Sequence, residues 1–301
     1  MKSYLDLARE GKNDWWRYLI GYPSIIIIWF VVGAIPVVVL AVAVSLDNDP
    51  QTNLAQSGFA GINPLLNFTV NVFNFLPFIL ATFMVVSLLH RRHPRTLITP
   101  ASKINWGRII AGAGVWAVLA ALVAAVEALL YPGRYTFTPN LARLLPFALL
   151  AVLFLPIQTS SEEIFFRGYI LQGLGLKTKN TWILCVLSGI LFTLPHLVNP
   201  EVTVNAFLVP LFYFFFGAFA TLVTIRDNSL ELALGMHMGN NLFTTLFANY
   251  TISALASPSL FTINEFDAVY NVIAPLVQMM IFYFLFFKVW PKREEAPAAI
   301  S

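Results

Sequence analysis

Long apolar runs separated by short polar connections make up most of this 301-residue chain. A helix that crosses a bilayer needs roughly 17 to 25 residues, and most of these runs have that length. We therefore predict eight transmembrane helices, at residues 19–46, 65–89, 107–130, 141–171, 181–196, 202–225, 229–250 and 268–290. The fourth run is longer than one crossing requires, and the fifth is short.

The composition supports this interpretation. The chain is 58% hydrophobic and 11% charged, with a mean hydropathy of +0.75, whereas a soluble domain carries about 25% charged residues. We predict a single all-α, polytopic membrane domain at residues 19–291, between an interfacial segment at 1–18 and a cytoplasmic tail at 292–301. Cys185 is the single cysteine, so no internal disulfide can form. The net charge of +3 is small, and we expect no nucleic-acid partner.

Lysine and arginine alternate between abundant and scarce along the connections between the apolar runs. Because connections on the cytoplasmic side carry the excess of these residues, both termini are predicted to be cytoplasmic. The chain is accordingly predicted to be a multi-pass protein of the cell membrane. The cations on the predicted cytoplasmic side are Lys2, Arg9, Lys12, Arg17, Arg91, Arg92, Arg95, Lys103, Arg108, Lys177, Lys179, Arg226, Lys288, Lys292 and Arg293.

One charged cluster interrupts the fourth apolar run, at residues 160–174 (SSEEIFFRGYILQGL). Each charged side chain at the centre of a membrane helix costs about 2.5 to 3.5 kcal/mol, so the cluster requires a compensating role. Glu163 and Arg167 are four residues apart and share a helical face, which predicts a structural ion pair. Glu162 projects about 100° away from that face, so it remains unpaired by Arg167 and is the candidate for chemistry.

Two further motifs place polar side chains in later apolar runs. Phe192 and His196 are four residues apart at the end of the fifth run, and His237 and Asn241 are four apart in the seventh. At a rise of about 1.5 Å per residue, Glu162 and both histidines have compatible depths, so they can line one buried polar cavity. A single membrane histidine is more often a hydrogen-bonding residue between helices than a catalyst, but the complete set favours a site.

These residue types suit the hydrolysis of a peptide bond. A buried carboxylate at Glu162 can act as a general base that takes a proton from water, while a histidine orients that water. A second imidazole and an amide can donate hydrogen bonds to the developing oxyanion. The alternative is a zinc-bound water held by Glu162, His196 and His237, although an H-E-x-x-H motif is absent.

In these residues the sequence resembles the CPBP family of intramembrane proteases, also called the Abi or CAAX protease family. The family pattern is E-E-x-x-x-R, then F-x-x-x-H, then H-x-x-x-N or D on successive helices. The matching segments are residues 162–167 (EEIFFR), 192–196 (FTLPH) and 237–241 (HMGNN), and the resemblance covers residues 158–249. It implies a helical core with a conical polar cavity that opens to the cytosol and to lipid.

The resemblance also implies a role for each site residue. Glu162 would be the base and His196 its partner in activating water, while His237 and Asn241 would form the oxyanion hole. A metal would be dispensable, so we predict no cofactor, with a zinc-dependent enzyme as the alternative. The residues expected to support the site are Glu163, Arg167 and Phe192.

The predicted function is an intramembrane endopeptidase that cleaves a membrane-associated protein or peptide, with or without an attached lipid. In eukaryotic members of the family the substrate is a prenylated protein that loses its last three residues, and many bacterial members have unknown substrates or are linked to bacteriocin immunity. The first alternative is a non-catalytic immunity or scaffold protein that uses the polar cluster for helix packing or ligand binding. A transporter is the third hypothesis: its only support is carboxylates that could couple to protons, and the absence of a visible internal repeat weakens it.

Overall fold

The protein is a bundle of helices in the computed structural model, which describes residues 2–55, 58–255 and 257–290. Three helices continue without a break into π-helical segments: Phe75–Met84 into Val85–Leu89, Leu141–Glu163 into Ile164–Ile170 and Tyr270–Phe284 into Leu285–Val289. The helices are α1 (Trp15–Gly33), α2 (Ile35–Leu46), α3 (Pro64–Phe73), α4 (Phe75–Met84), α5 (Trp106–Leu130), α6 (Leu141–Glu163), α7 (Leu171–Gly175), α8 (Thr181–His196), α9 (Leu208–Asp227), α10 (Glu231–Leu246) and α11 (Tyr270–Phe284). Short 3-10 helices lie at Tyr4–Glu10, Pro94–Leu97 and Pro200–Thr203.

Helices occupy the positions of all eight predicted spans. Among the described residues, six stretches are long and apolar enough to cross a membrane: Trp15–Leu46, Pro64–Leu89, Trp106–Leu130, Leu141–Gly175, Leu208–Asp227 and Tyr270–Val289. The helices at the fifth and seventh positions, α8 and α10, have 16 residues each, fewer than the ~20 residues of a typical crossing. The all-α membrane class is confirmed. The count of eight crossings and the side of each terminus stay predictions, and the predicted tail at 292–301 lies outside the described residues.

Two predicted helix boundaries were wrong. The sixth span was expected from residue 202, but α9 begins at Leu208 and is preceded by the 3-10 helix Pro200–Thr203. The seventh was expected to reach residue 250, but α10 ends at Leu246 and the chain then forms a short strand. In both places apolar residues continue past the end of the helix, so the hydropathy pattern cannot mark the boundary.

Short strands join the connections at one end of the bundle. Strands β1 (Asn53–Ala55) and β2 (Gly58–Ala60) form an antiparallel pair. A three-stranded sheet has the order β3-β5-β4, from β3 (Tyr135–Phe137), β4 (Ala248–Tyr250) and β5 (Phe261–Ile263). Strand β5 is antiparallel to β3 and parallel to β4. The sheet therefore ties the connection after α5 to the connection between α10 and α11.

The start of the N-terminal segment packs into the core of the bundle. Tyr4, Leu5 and Leu7 of the 3-10 helix Tyr4–Glu10 are buried in the main core of the bundle, whereas Trp15 is 73% exposed. The Tyr4 hydroxyl donates to the backbone carbonyls of Leu97 (2.5 Å) and Arg167 (3.2 Å). Leu5 and Leu7 therefore contact the rest of the protein. The interfacial position of residues 1–18 as a whole stays a prediction.

Helix α10 is held against α5 by a close backbone approach. A Cβ atom added to Gly239 would lie 2.5 Å from the carbonyl oxygen of Ala113, and one added to Gly235 would overlap the carbonyl oxygen of Ile109. Small residues four positions apart allow this kind of contact between membrane helices. The contact fixes the rotation of α10 about its axis. In the sequence, His237 stands between the two glycines. The polar face of α10 is thereby directed at α6.

Candidate active site

The two adjacent glutamates end helix α6, at the point where the chain changes to the π-helix Ile164–Ile170. Glu162 is 7% exposed and Glu163 is fully buried. A π-helical turn has wider i to i+5 hydrogen bonding and is frequent at functional sites. The change therefore alters the rotation of every residue that follows Glu163, including Arg167.

The predicted ion pair is present. An Nη1 donor of Arg167 lies 2.9 Å from Oε1 of Glu163, with both side chains fully buried. The Nη2 group of Arg167 donates to the carbonyl of Gly217 at 3.1 Å, and the guanidinium lies 4.3 Å from the centre of the Phe192 ring. A buried guanidinium requires such a set of acceptors, because no water can hydrate its charge. Phe192 thus lies against the guanidinium of the ion pair, and its supporting role stays a prediction.

His237 contacts both glutamates. Its Nδ1 atom lies 2.8 Å from Oε1 of Glu163, and its Nε2 atom lies 3.6 Å from Oε2 of Glu162. A carboxylate oxygen can only accept, so Nδ1 carries a proton and, in the neutral ring, Nε2 is an acceptor. Two acceptors that face each other require a hydrogen between them, from a water molecule or from a second proton on the ring. Glu163 therefore orients His237 as well as pairing with Arg167.

Gln158 joins Asn241 to Glu162, which the sequence analysis missed. The Nε2 group of Gln158 donates to Oε1 of Glu162 at 2.6 Å, and its Oε1 atom accepts from Nδ2 of Asn241 at 2.9 Å. Gln158 is 5% exposed and Asn241 is 8% exposed. The available signal was its position, one helical turn before Glu162 in an apolar run. The structure therefore brings Glu162, His237 and Asn241 together, with Gln158 as an additional member.

His196 lies beside this cluster, at the end of α8. Its ring is 4.4 Å from the ring centres of both Phe192 and Tyr213. Its Nδ1 atom lies 2.7 Å from the carbonyl oxygen of Phe192, so Nδ1 carries the proton and Nε2 is the free acceptor of a neutral ring. Phe192 also packs edge-on to His237, with ring centres 6.0 Å apart. The Phe192 ring thus lies in contact with both histidines, His196 and His237.

The zinc alternative requires three side chains that can hold one metal ion. In the part of the chain that the structure describes, no three His, Cys, Asp or Glu side chains are arranged to hold a metal ion. The donor types of Glu162, His196 and His237 suit zinc, but their positions do not form a ligand set. The reaction proposed for this protein therefore uses no metal ion, and the absence of a metal requirement stays a prediction.

A cavity of about 880 Å³ lies apart from the glutamates, between the start of α3, the start of α6 and residues 254, 255, 257 and 258. It is mostly apolar, with Asn67, Asn71 and Arg143 among its polar lining residues. The polar cavity expected around Glu162 stays a prediction.

Comparisons with known proteins agree with the motifs. A family model described as Type II CAAX prenyl endopeptidase Rce1-like matches residues 141–243, which include all four predicted catalytic residues. An uncharacterized protein of Bacillus subtilis (strain 168), YyaK, is 30% identical over 275 residues, or 91% of each chain. No solved structure matches. The resemblance inferred from the motifs is confirmed, and the chain belongs to the Rce1-like family of type II CAAX prenyl endopeptidases, a family of proteases.

Proposed function

We propose that this protein is an intramembrane endopeptidase in which Glu162 activates the water that hydrolyses a peptide bond. One observation carries the assignment: Oε2 of Glu162 is buried and has no hydrogen-bond donor among the described residues. A buried carboxylate oxygen without a donor is costly, and a water molecule that donates to it would offset the cost. Membership of the family supports a membrane peptidase, and the buried Oε2 atom of Glu162 supports a position for the nucleophilic water.

The proposed reaction begins with a water that donates to Oε2 of Glu162. As the water oxygen bonds to the carbonyl carbon of the substrate, Oε2 takes its proton, and the acceptor Nε2 of His196 orients the water through its other hydrogen. The proton on Glu162 then passes to the amide nitrogen as the carbon–nitrogen bond breaks. Atoms and charge balance without any further reactant.

The oxyanion would be stabilised by Asn241 and His237. One N–H of Asn241 donates to Gln158, which leaves its second N–H for the substrate oxygen. His237 has an N–H on Nε2 only in its protonated form, and the carboxylate of Glu163 would stabilise that charge. Such preoriented donors are typically worth about 2.7 to 4 kcal/mol each in the transition state.

The test is cleavage of a membrane peptide by purified protein in lipid nanodiscs. Glu162→Gln and His196→Ala should each lower the rate about 100-fold or more, since general acid–base groups contribute at least that much. Glu127→Gln is the matched control, because Glu127 is also a buried helical carboxylate but bonds to Arg134 (2.9 Å) away from the cluster. Full activity in both site variants would refute the proposal. If the wild type cleaves no peptide and both site variants are less stable than the wild type, the non-catalytic alternative is favoured.

The substrate is proposed to be a membrane-associated protein or peptide. Two probe peptides of one sequence, with and without a C-terminal prenyl group, would show whether a lipid is needed for binding. We also propose that no metal takes part. Activity that survives exhaustive chelation, with no zinc detected by elemental analysis, would support this, and activity that is lost on chelation and restored by zinc would refute it.

A further inference from the structure

A series of four hydrogen bonds runs from helix α5 to Glu162. The indole Nε1 of Trp116 donates to Oδ1 of Asn240 (3.1 Å). Nδ2 of Asn240 donates to Oδ1 of Asn241 (3.0 Å), and Nδ2 of Asn241 donates to Oε1 of Gln158 (2.9 Å). The last bond runs from Nε2 of Gln158 to Oε1 of Glu162 (2.6 Å). The series crosses three helices, α5, α10 and α6.

The two ends of the series determine its direction. An indole nitrogen can only donate, and a carboxylate oxygen can only accept. Each of the three amides between them must therefore accept through oxygen and donate through nitrogen. If one amide reversed, two donors or two acceptors would meet in a buried environment. The orientation of Gln158 is thus set from a tryptophan three side chains away.

Trp116 is itself held firmly. It is 1% exposed, and its carbonyl accepts a hydrogen bond from Nε2 of Gln278 at 3.1 Å. Its ring packs edge-on to Phe216 (5.8 Å between ring centres) and Phe282 (5.4 Å). Helices α9 and α11 therefore fix the first donor, so it cannot follow a movement of Asn240.

The geometry points to Trp116, Asn240 and Gln158 as positioning residues of the peptidase, an inference that rests on the proposed function. Their hydrogen bonds keep Oε1 of Glu162 occupied as an acceptor, so that Oε2 alone is left to take the proton from water. The same series holds Asn241 through its Oδ1 atom and one N–H. The relay therefore fixes both the base and the oxyanion donor from a residue that does not touch the substrate.

The test variant is Trp116→Phe, which removes the indole N–H and keeps an aromatic ring. We expect kcat to fall about tenfold, the equivalent of one hydrogen bond, with KM within about twofold of the wild type. Trp182→Phe is the control, since Trp182 is 71% exposed on α8, and its kcat should not change. Adding Trp116→Phe to Gln158→Leu should lower kcat by less than the two single losses combined, because the path from Trp116 to Glu162 is already broken and only the hold on Asn241 remains to be lost. Unchanged kcat in Trp116→Phe, or additive losses in the double variant, would overturn the relay.

Infrared difference spectroscopy tests the relay without a substrate. The carboxyl stretching band of Glu162 is assigned by comparison with Glu162→Gln, in nanodiscs, with folding checked by thermal unfolding. Trp116→Phe and Gln158→Leu should both shift this band, and Trp182→Phe should not. An unshifted band would overturn the relay even if the wild type cleaves peptides. A shifted band in a protein that cleaves no membrane peptide would support the relay and refute the proposed function.

Discussion

Replacing Arg167 by methionine is the sharpest test of the support beneath the glutamates. Methionine has a similar length and fills the buried site, but it removes the positive charge and all donors. Glu163 then keeps His237 as a partner and loses the contact at 2.9 Å with the guanidinium. The carbonyl of Gly217 and the face of the Phe192 ring also lose the cation.

The expected magnitude follows from the burial of both partners, neither of which is exposed to solvent. Removal of one member of a buried ion pair leaves an uncompensated charge and costs about 3 to 5 kcal/mol. A double variant, Arg167→Met with Glu163→Gln, leaves no such charge. The amide oxygen of the new glutamine can still accept from His237, so the remaining cost is about 1 to 3 kcal/mol for the Gly217 carbonyl. The double variant should therefore be more stable than Arg167→Met alone.

The free energy of unfolding can be measured by circular dichroism as sodium dodecyl sulfate is added to protein in mixed micelles. Lys179→Met is the matched control, because Lys179 pairs with Asp6 at the surface and is 47% exposed, and such a pair is worth about 0 to 1 kcal/mol. The reasoning is refuted if Arg167→Met lies within about 1 kcal/mol of the wild type. It is also refuted if the double variant is less stable than Arg167→Met alone.

Two further predictions concern the packing around the N-terminal segment. Tyr4→Phe removes the donor to the buried carbonyls of Leu97 and Arg167, and should lower the free energy of unfolding by about 1 to 3 kcal/mol in the same micelle assay; an unchanged value would show that these bonds contribute nothing. Burial, assisted by nearby arginine charges, lowers the pKa of His90 below its usual 6.5. Because the unfolded ring takes up a proton that the buried ring does not, thermal stability should fall as pH decreases below about 6.5, and less steeply in His90→Gln. Parallel curves for the two proteins would contradict this.

The positions of the helices and the ion pair could be predicted because each depends on local spacing. An apolar run long enough to span a bilayer indicates a helix whatever its neighbours are. The contact between Glu163 and Arg167 follows from their separation of four residues. The contact between His237 and Glu163 spans 74 residues and depends on how α10 is rotated against α5, which no local pattern encodes.

One feature of the site, the π-helix Ile164–Ile170, depends on packing and was missed for that reason. The π-helix after Glu163 has no distinctive amino-acid composition. It contains the backbone carbonyl of Arg167, which accepts a hydrogen bond from the Tyr4 hydroxyl, 163 residues earlier in the sequence. Gln158, in contrast, was accessible to sequence reasoning, since an amide one turn from a buried carboxylate is an expected partner.

The attachment of Tyr4 has a consequence for the order in which the protein matures. Besides its bonds near Arg167, the backbone N–H of Tyr4 donates to Oδ1 of Asn228 at 2.6 Å, across 224 residues of sequence. Tyr4 leaves the ribosome early, but its acceptor in the turn between α9 and α10 is synthesised only after most of the bundle has been inserted. Contacts of such long separation form late in folding. A chain that is still being translated would therefore hold Glu162 and Glu163 without this last tether, so the backbone near them becomes fully supported only once α9 has been made.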